Sequence, residues 1–294
     1  MGGAATRGLR TTQYALPNKE NRMGLDRIAT AFAAARAEGR AALMPYFTLG
    51  YPDADTSETV IRAIAAAGAD LIELGVPFSD PLADGPTIQR STQVALEGGM
   101  TVARCLALTR RLRAGGGSQA LLLMGYVNPI IAYGATRFVA DAAAVGADGL
   151  IVPDLPPEEA GAHGAGEIEA ACAAHGLALV YLAAPTSTDE RLATLAARTT
   201  GFLYLVSVAG VTGARDGLPP DLAAFVGRAR AVARTPIAVG FGIATPAQAR
   251  AVGQLADGVI VGSALINAVA GAADPPAAAG SFVGSLREAL DPRQ

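Results

Sequence analysis

Histidine and cysteine are scarce in this 294-residue chain, with two of each. Cys105 and Cys172 lie in helix-like, leucine- or alanine-rich surroundings. They draw neither a disulfide framework nor a metal site, and read as small buried apolar residues. His163 and His175 belong to no Ser-His or Cys-His arrangement, and His175-Gly176 resembles a helix end. A Ser-His-Asp hydrolase and a zinc enzyme therefore find no support. No apolar run reaches the ~20 residues that span a bilayer, and alanine-rich stretches such as Ile61 to Ala69 are interrupted. There is no long basic run and the formal charge is −3, which argues against nucleic acid as the main partner. The strand-like segments contain no lysine, so an aldolase working through a Schiff base lacks its nucleophile. No strand is followed by a full G-x-G-x-x-G opening a helix, which counts against an open doubly wound sheet.

What is present is a large apolar fraction. Hydrophobic residues make up 51% and charged residues 17% of 29.6 kDa, enough to bury a sizeable core in one large domain or two small ones. Residues 1–22 differ from the rest. They are polar, carry Arg7, Arg10, Lys19 and Arg22 against Glu20, and lack the apolar core of a secretory signal. They are expected to be a disordered N-terminal extension, or to precede a true start at Met23, with a catalytic domain over 23–294. A cytoplasmic protein is the simplest reading.

Alternation dominates that domain. Gly24 to Arg40 places Ile28, Phe32 and Ala35 on one helical face, with Gly39 as a stop. Ala42 to Leu49 follows as a first strand, then a helical Thr56 to Ala67 ended by Gly68. A short repeat marks later junctions: AGADLIEL at 67–74, VGADGLIV at 145–152 and LADGVIV at 255–261. Each copy joins a helix end, through a small residue and an aspartate, to a short apolar strand. Strand positions at Ala42, Asp70, Ala120, Asp148, Leu177, Leu203, Ile237 and Gly258 make eight, separated by helix-like segments such as 136–145, 158–174, 189–197, 220–232 and 246–255. Apolar strands alternating with helices indicate a covered parallel sheet. Eight such units in this length predict a single (β/α)8 TIM barrel with an extra N-terminal helix, whose chemistry lies at the carboxyl ends of the strands.

The most informative stretch is LIELGVPFSDPLADGPTIQ, 71–89. Glu73 sits inside a short apolar strand, and burying an ionisable group is costly unless it is paired or used. Asp80 and Asp84 follow on a loop stiffened by Pro77, Pro81 and Pro86. Taken singly, a strand acid is usually salt-bridged or at an edge, and Asp80 is most simply a turn residue. Together they suit acid–base work on one small molecule. Glycine-bearing stretches also follow late strands: VTG at 211–213, GFGI at 240–243 and VGSA at 261–264. Backbone amides after strands seven and eight of a barrel commonly hold phosphate, and Ser263 opens a helix-like segment. The length and glycine–proline content of 208–222 suggest a lid, with Thr212 and Asp154 sensing closure.

Glu73 to Gln89 closely resembles the signature of the tryptophan synthase alpha-subunit family. The family's order is kept by PYFTLG (45–50), Asn128-Pro129, PDLPP (153–157), APTSTD (184–189), GVTG (210–213), GFGI (240–243) and Gly262-Ser263. The resemblance runs roughly from Met23 to Leu290. It implies a lyase for tryptophan biosynthesis that cleaves indole-3-glycerol phosphate to indole and D-glyceraldehyde 3-phosphate without metal or organic cofactor. It further implies an α2β2 assembly in which a beta subunit receives the indole, with an interface on the same rim, including the 80–86 loop and Asn128-Pro129. By resemblance, Glu73 handles the proton traffic and Asp84 accepts the indole N–H. Tyr204 matches an auxiliary tyrosine, although a half-buried barrel tyrosine is an equal reading. Gly213, Gly242, Ile243, Gly262 and Ser263 match the phosphate site. Tyr46, Tyr126 and Phe241 are the aromatic residues expected around the indole ring. Two other readings stay open: a catalytically idle binder of a beta partner, and a different phosphate-binding barrel isomerase or aldolase.

Overall fold

The computed structural model describes residues 23–157, 165–206, 218–240 and 242–292. Residues 1–22, His163, Gly213 and Phe241, and 208–217 of the 208–222 segment with Thr212, lie outside them. Helix α1 (Met23–Ala37) comes first, then β1 (Ala42–Thr48), α2 (Ala54–Ala66) and β2 (Leu71–Gly75). Two helices follow, α3 (Pro86–Glu97) and α4 (Val102–Ala114), before β3 (Ala120–Met124). Next are α5 (Val127–Tyr133), α6 (Ala135–Ala144), β4 (Gly149–Ile151), α7 (Ala165–His175), β5 (Ala178–Val180) and β6 (Leu182–Ala183). The chain continues through α8 (Asp189–Arg198), β7 (Leu203–Val206), α9 (Leu222–Val232), β8 (Ile237–Gly240), α10 (Pro246–Gly253) and β9 (Gly258–Val261). It ends with α11 (Ser263–Val269) and α12 (Pro275–Ala289).

All pairings are parallel, and the strands run in the order β5-β4-β3-β2-β1-β9-β8-β7-β6. The two end segments are pieces of one strand interrupted at Tyr181, whose carbonyl accepts from the Tyr204 N–H at 3.1 Å. The sheet thus closes on itself, and the nine segments are eight barrel strands at the eight predicted positions. Strands with both faces covered read as continuous apolar runs, and β1, β2, β3 and β9 are buried throughout. Side chains cap several of the helices: Asp53 for α2, Thr101 for α4, Thr188 for α8, and a capping box of Thr245 and Gln248 for α10. Helices α3, α5 and α12 are absent from the sequence reading, and α4 enters it only through the helix-like surroundings of Cys105.

The repeat has a structural meaning at the amino ends of the strands. The Asp70 N–H donates to the Leu43 carbonyl at 2.9 Å, and the Leu43 N–H returns a bond to Asp70 Oδ2 at 2.8 Å. Asp148 does the same with Leu121 (2.7 and 2.8 Å) and Asp257 with Ile237 (2.8 and 2.9 Å). Each aspartate therefore ties its own strand to the preceding one, and each is also held by arginine: Arg40; Arg27 and Arg113; Arg36 and Arg230. Thr200 makes a fourth copy with Leu179, at 3.0 and 2.7 Å.

Helix α1 closes this end of the barrel with the face expected of it, Ile28, Phe32 and Ala35, and Gly24 is buried beside them. Gly24 lies so close to the Asp148 backbone that an added Cβ would stand 2.5 Å from its carbonyl oxygen. The Phe32 ring packs 5.7 Å from Phe202, which is 6.4 Å from Tyr204. An aromatic column thus rises from the floor into the barrel, leaving the carboxyl rim for the site.

Candidate active site

Strand β2 lifts Glu73 into the barrel interior between Tyr46 on β1 and Leu122 on β3, which are its in-register neighbours. Glu73 has no exposed surface, and neither carboxyl oxygen has a hydrogen-bond partner. Burial alone pushes its pKa from 4.5 up to about 8, so the group is largely protonated at neutral pH. The chain leaves β2 through Gly75 and Pro77 and returns over the rim, held by the bonds from Leu82 N–H to the Asp80 carbonyl and from Asp84 N–H to the Pro81 carbonyl. That turn delivers Asp84 to the cavity just before α3 begins. Burial pushes the Asp84 carboxyl up to about 6, opposed by a hydrogen bond from Tyr126.

Eight of the residues singled out in the sequence line one cavity of about 520 Å³: Tyr46, Glu73, Asp84 and Tyr204, together with Gly242, Ile243, Gly262 and Ser263. Residues from β1, β2, β7 and the loops after β8 and β9 thus converge on a single mouth. The phosphate end is built from backbone. Gly242 has φ of +81°, a left-handed conformation that favours glycine. Helix α11 starts at Ser263 with Gly262 at its cap and no side-chain capping bond, so amides of its first turn remain available to an anion. Tyr46 and Tyr204 hold their protons well above the usual phenol range, chiefly through burial and then through the nearby acids.

Tyr126 does not line this cavity. It stands in an adjoining recess with Phe78, their rings 5.5 Å apart. Its hydroxyl donates to Asp84 Oδ2 at 3.0 Å and accepts from the Ala83 N–H at 3.0 Å, holding the acid-bearing loop. Asp154, after β4, accepts from the Val127 N–H at 2.9 Å and so braces the turn that carries Tyr126. The sequence reading also missed Thr87, Met124, Ile260, Asn267 and Phe282 on the cavity wall. Asn267 had a signal, since it follows Ser263 by one helical turn.

A family model described as tryptophan synthase alpha chain matches residues 32–284. The chain belongs to the tryptophan synthase alpha chain family. The tryptophan synthase alpha chain of Roseiflexus sp. (strain RS-1) is 51% identical over 267 residues, covering 90% of this chain and all of the relative. That of Caulobacter sp. (strain K31) is 50% identical over 85% of this chain and 90% of its own. Among solved structures, a chain of Mycobacterium tuberculosis tryptophan synthase is 41% identical with a TM-score of 0.82, over 90% of this chain and 98% of that one. Tryptophan synthase subunit alpha from Legionella pneumophila str. Paris gives 38% identity and a TM-score of 0.82, again over 90% and 98%. A TIM-barrel lyase of tryptophan biosynthesis accounts for both the architecture and the acid-lined cavity.

Proposed function

We propose that Glu73 and Asp84 carry the reaction of this tryptophan synthase alpha chain, the cleavage of indole-3-glycerol phosphate to indole and D-glyceraldehyde 3-phosphate. The observation that carries the assignment is a fully buried carboxyl, free of hydrogen-bond partners, inside the cavity. The retro-aldol step needs the indole carbon bearing the side chain to gain a proton. Glu73, neutral at pH 7, supplies it and becomes a carboxylate. Protonation leaves a cation on the ring nitrogen, which Asp84 stabilises by accepting the indole N–H; ionised Asp84 is the major form above about pH 6. The carbon–carbon electron pair then flows back into the ring as the side-chain hydroxyl gives its proton to Glu73 and becomes the aldehyde. Glu73 ends the cycle as it began.

The phosphate tail is assigned to Gly242, Ile243, Gly262 and Ser263, supported by the uncapped start of α11; Gly213 completes the set. Tyr204 lies at the cavity as an auxiliary hydroxyl. The beta subunit partners this chain in an α2β2 assembly and takes up the indole. Its footprint is assigned to the carboxyl rim around 80–86 and 128–131, where Leu82 is 93% and Ile131 42% exposed, because exposed large apolar side chains suit a partner surface.

Indole release from indole-3-glycerol phosphate, measured with and without a beta subunit, tests the reading. Glu73→Gln lowers the cleavage rate by roughly 10²–10⁴-fold while the fold is kept. Near-normal turnover of that variant would take Glu73 out of the mechanism.

A further inference from the structure

The wall of the active-site cavity holds two carboxyls and, among the described residues, no cation. The whole chain has a formal charge of −3. A phosphate ester nearing such a mouth is repelled unless a positive charge stands on its path. Among the described residues, the side chains of Arg90, Arg110 and Arg234 have neither an ion pair nor a hydrogen bond. Two of them are in the wrong place. Arg110 lies on α4 beside Arg111, which pairs with Glu58, and near Arg113, which pairs with Asp148. Arg234 lies between α9 and the start of β8. Both therefore belong to the amino end of the barrel.

Arg90 is at the other end. Helix α3 begins at the carboxyl rim, where Gly85, Pro86, Thr87 and Ile88 line the cavity. Ile88, Ser91, Thr92 and Ala95 are its buried residues, which leaves Arg90 exposed on the outer side. Arg90 follows Thr87 by three residues and Pro86 by four, so it shares their side of the helix. A helical side chain leans toward the N-terminus and covers the turn before its own Cα. The long side chain of Arg90 thus reaches back over Pro86 and Thr87, beside the mouth. No acid of α3 competes for it. Glu97, the only one, closes the far end of the helix and accepts from Gln93 at 2.8 Å.

We propose that Arg90 is a capture residue for the phosphate-bearing substrate, an unpaired guanidinium on the lip of the cavity that draws the anion in. A paired arginine shows solvent little more than a dipole, whereas Arg90 keeps a full unit charge. It stands in water outside the wall, so it acts on the approach, and the seated phosphate still meets only neutral donors. Arg90→Glu changes the local charge by two units. Against a doubly charged phosphate at a separation on the order of 10 Å, that slows capture roughly five- to tenfold at ~0.01 M salt. At ~1 M salt the Debye length is ~3 Å and the effect vanishes.

The inference rests on a phosphate ester being the substrate of this cavity, and its test separates the two. Indole release by the full chain is measured at ~0.01 M and ~1 M salt for the parent, Arg90→Glu, Arg90→Lys and Arg110→Glu. Arg110→Glu makes the same change in net charge at the opposite end of the barrel. Arg90→Glu should lower kcat/KM roughly five- to tenfold at low salt, leave kcat unchanged, and regain the parental value at high salt. Arg90→Lys should stay near the parent, because the charge alone is required. Inhibition by glycerol 3-phosphate should weaken in Arg90→Glu, while inhibition by uncharged indole should not. Equal losses in Arg90→Glu and Arg110→Glu overturn the inference, as does a loss that survives high salt or extends to indole. If glycerol 3-phosphate fails to inhibit the parent, the phosphate reading of the cavity falls first and takes the role of Arg90 with it.

Discussion

A carboxyl that keeps its proton to about pH 8 burdens the fold that holds it. The unfolded chain releases this proton near 4.5, whereas the folded chain retains it. Stability therefore falls as pH rises above about 4.5, and the whole cost is in place above about 8. At on the order of 1.4 kcal/mol per pH unit, that cost amounts to a few kcal/mol. Glu73→Gln should unfold at higher urea than the parent at about pH 9, with the gap closing toward pH 4.5. A gap that stays constant with pH would show that Glu73 does not titrate with folding. Tyr126 acts on the other acid in the opposite sense, since its hydroxyl opposes the rise caused by burial. Tyr126→Phe should move the acidic limb of indole release to higher pH, and an unmoved limb would leave Tyr126 with packing alone. Glu73 was legible in the sequence because an acid inside LIEL contradicts its apolar neighbours. The tie from Tyr126 to Asp84 was not, because 42 residues separate them and only the fold makes them meet.

Among elements, the strand-tying aspartates show how a pattern can be visible while its physics is hidden. The repeat predicted three junctions, and each proves to be a two-way bond between adjacent strands. The fourth, at Thr200, escaped because a hydroxyl serves the same N–H without resembling a carboxylate in the sequence. Asp148 is the most committed of them, 1% exposed and bonded to Arg27, Arg113 and the Leu121 N–H. Asp148→Ala strands two guanidinium groups and an amide, and should cost about 3–5 kcal/mol in urea unfolding. Asp257→Ala should cost less, because its arginines stand at 3.3 and 3.4 Å and are exposed. Equal losses would contradict this ranking. The folded fraction of either variant should release indole at the parental rate, since both residues sit at the end of the barrel away from the cavity. Strand positions were readable from short apolar runs, yet α3 was not, and α4 showed only in the helix-like surroundings of Cys105. Their polar faces dilute the periodic signal, and four of the thirteen residues of α4 are arginine.

At the level of the whole molecule, the barrel sorts its labour by end: ion pairs and the α1 plug at one mouth, acids and glycine corners at the other. Two acids with separated proton affinities predict a bell-shaped kcat/KM for indole release, rising through about pH 6 and falling through about pH 8. Among the described residues, neither arginine nor lysine lines the cavity. A phosphate ester therefore arrives with its negative charge uncancelled, in a chamber that already contains two carboxyls. Its field disfavours ionisation of both, so the bound complex should grip the Glu73 proton harder than the empty enzyme does. The alkaline limb of kcat should lie above that of kcat/KM, and coincident limbs would show the charge to be screened. The ligand, on this account, arms the acid that cleaves it.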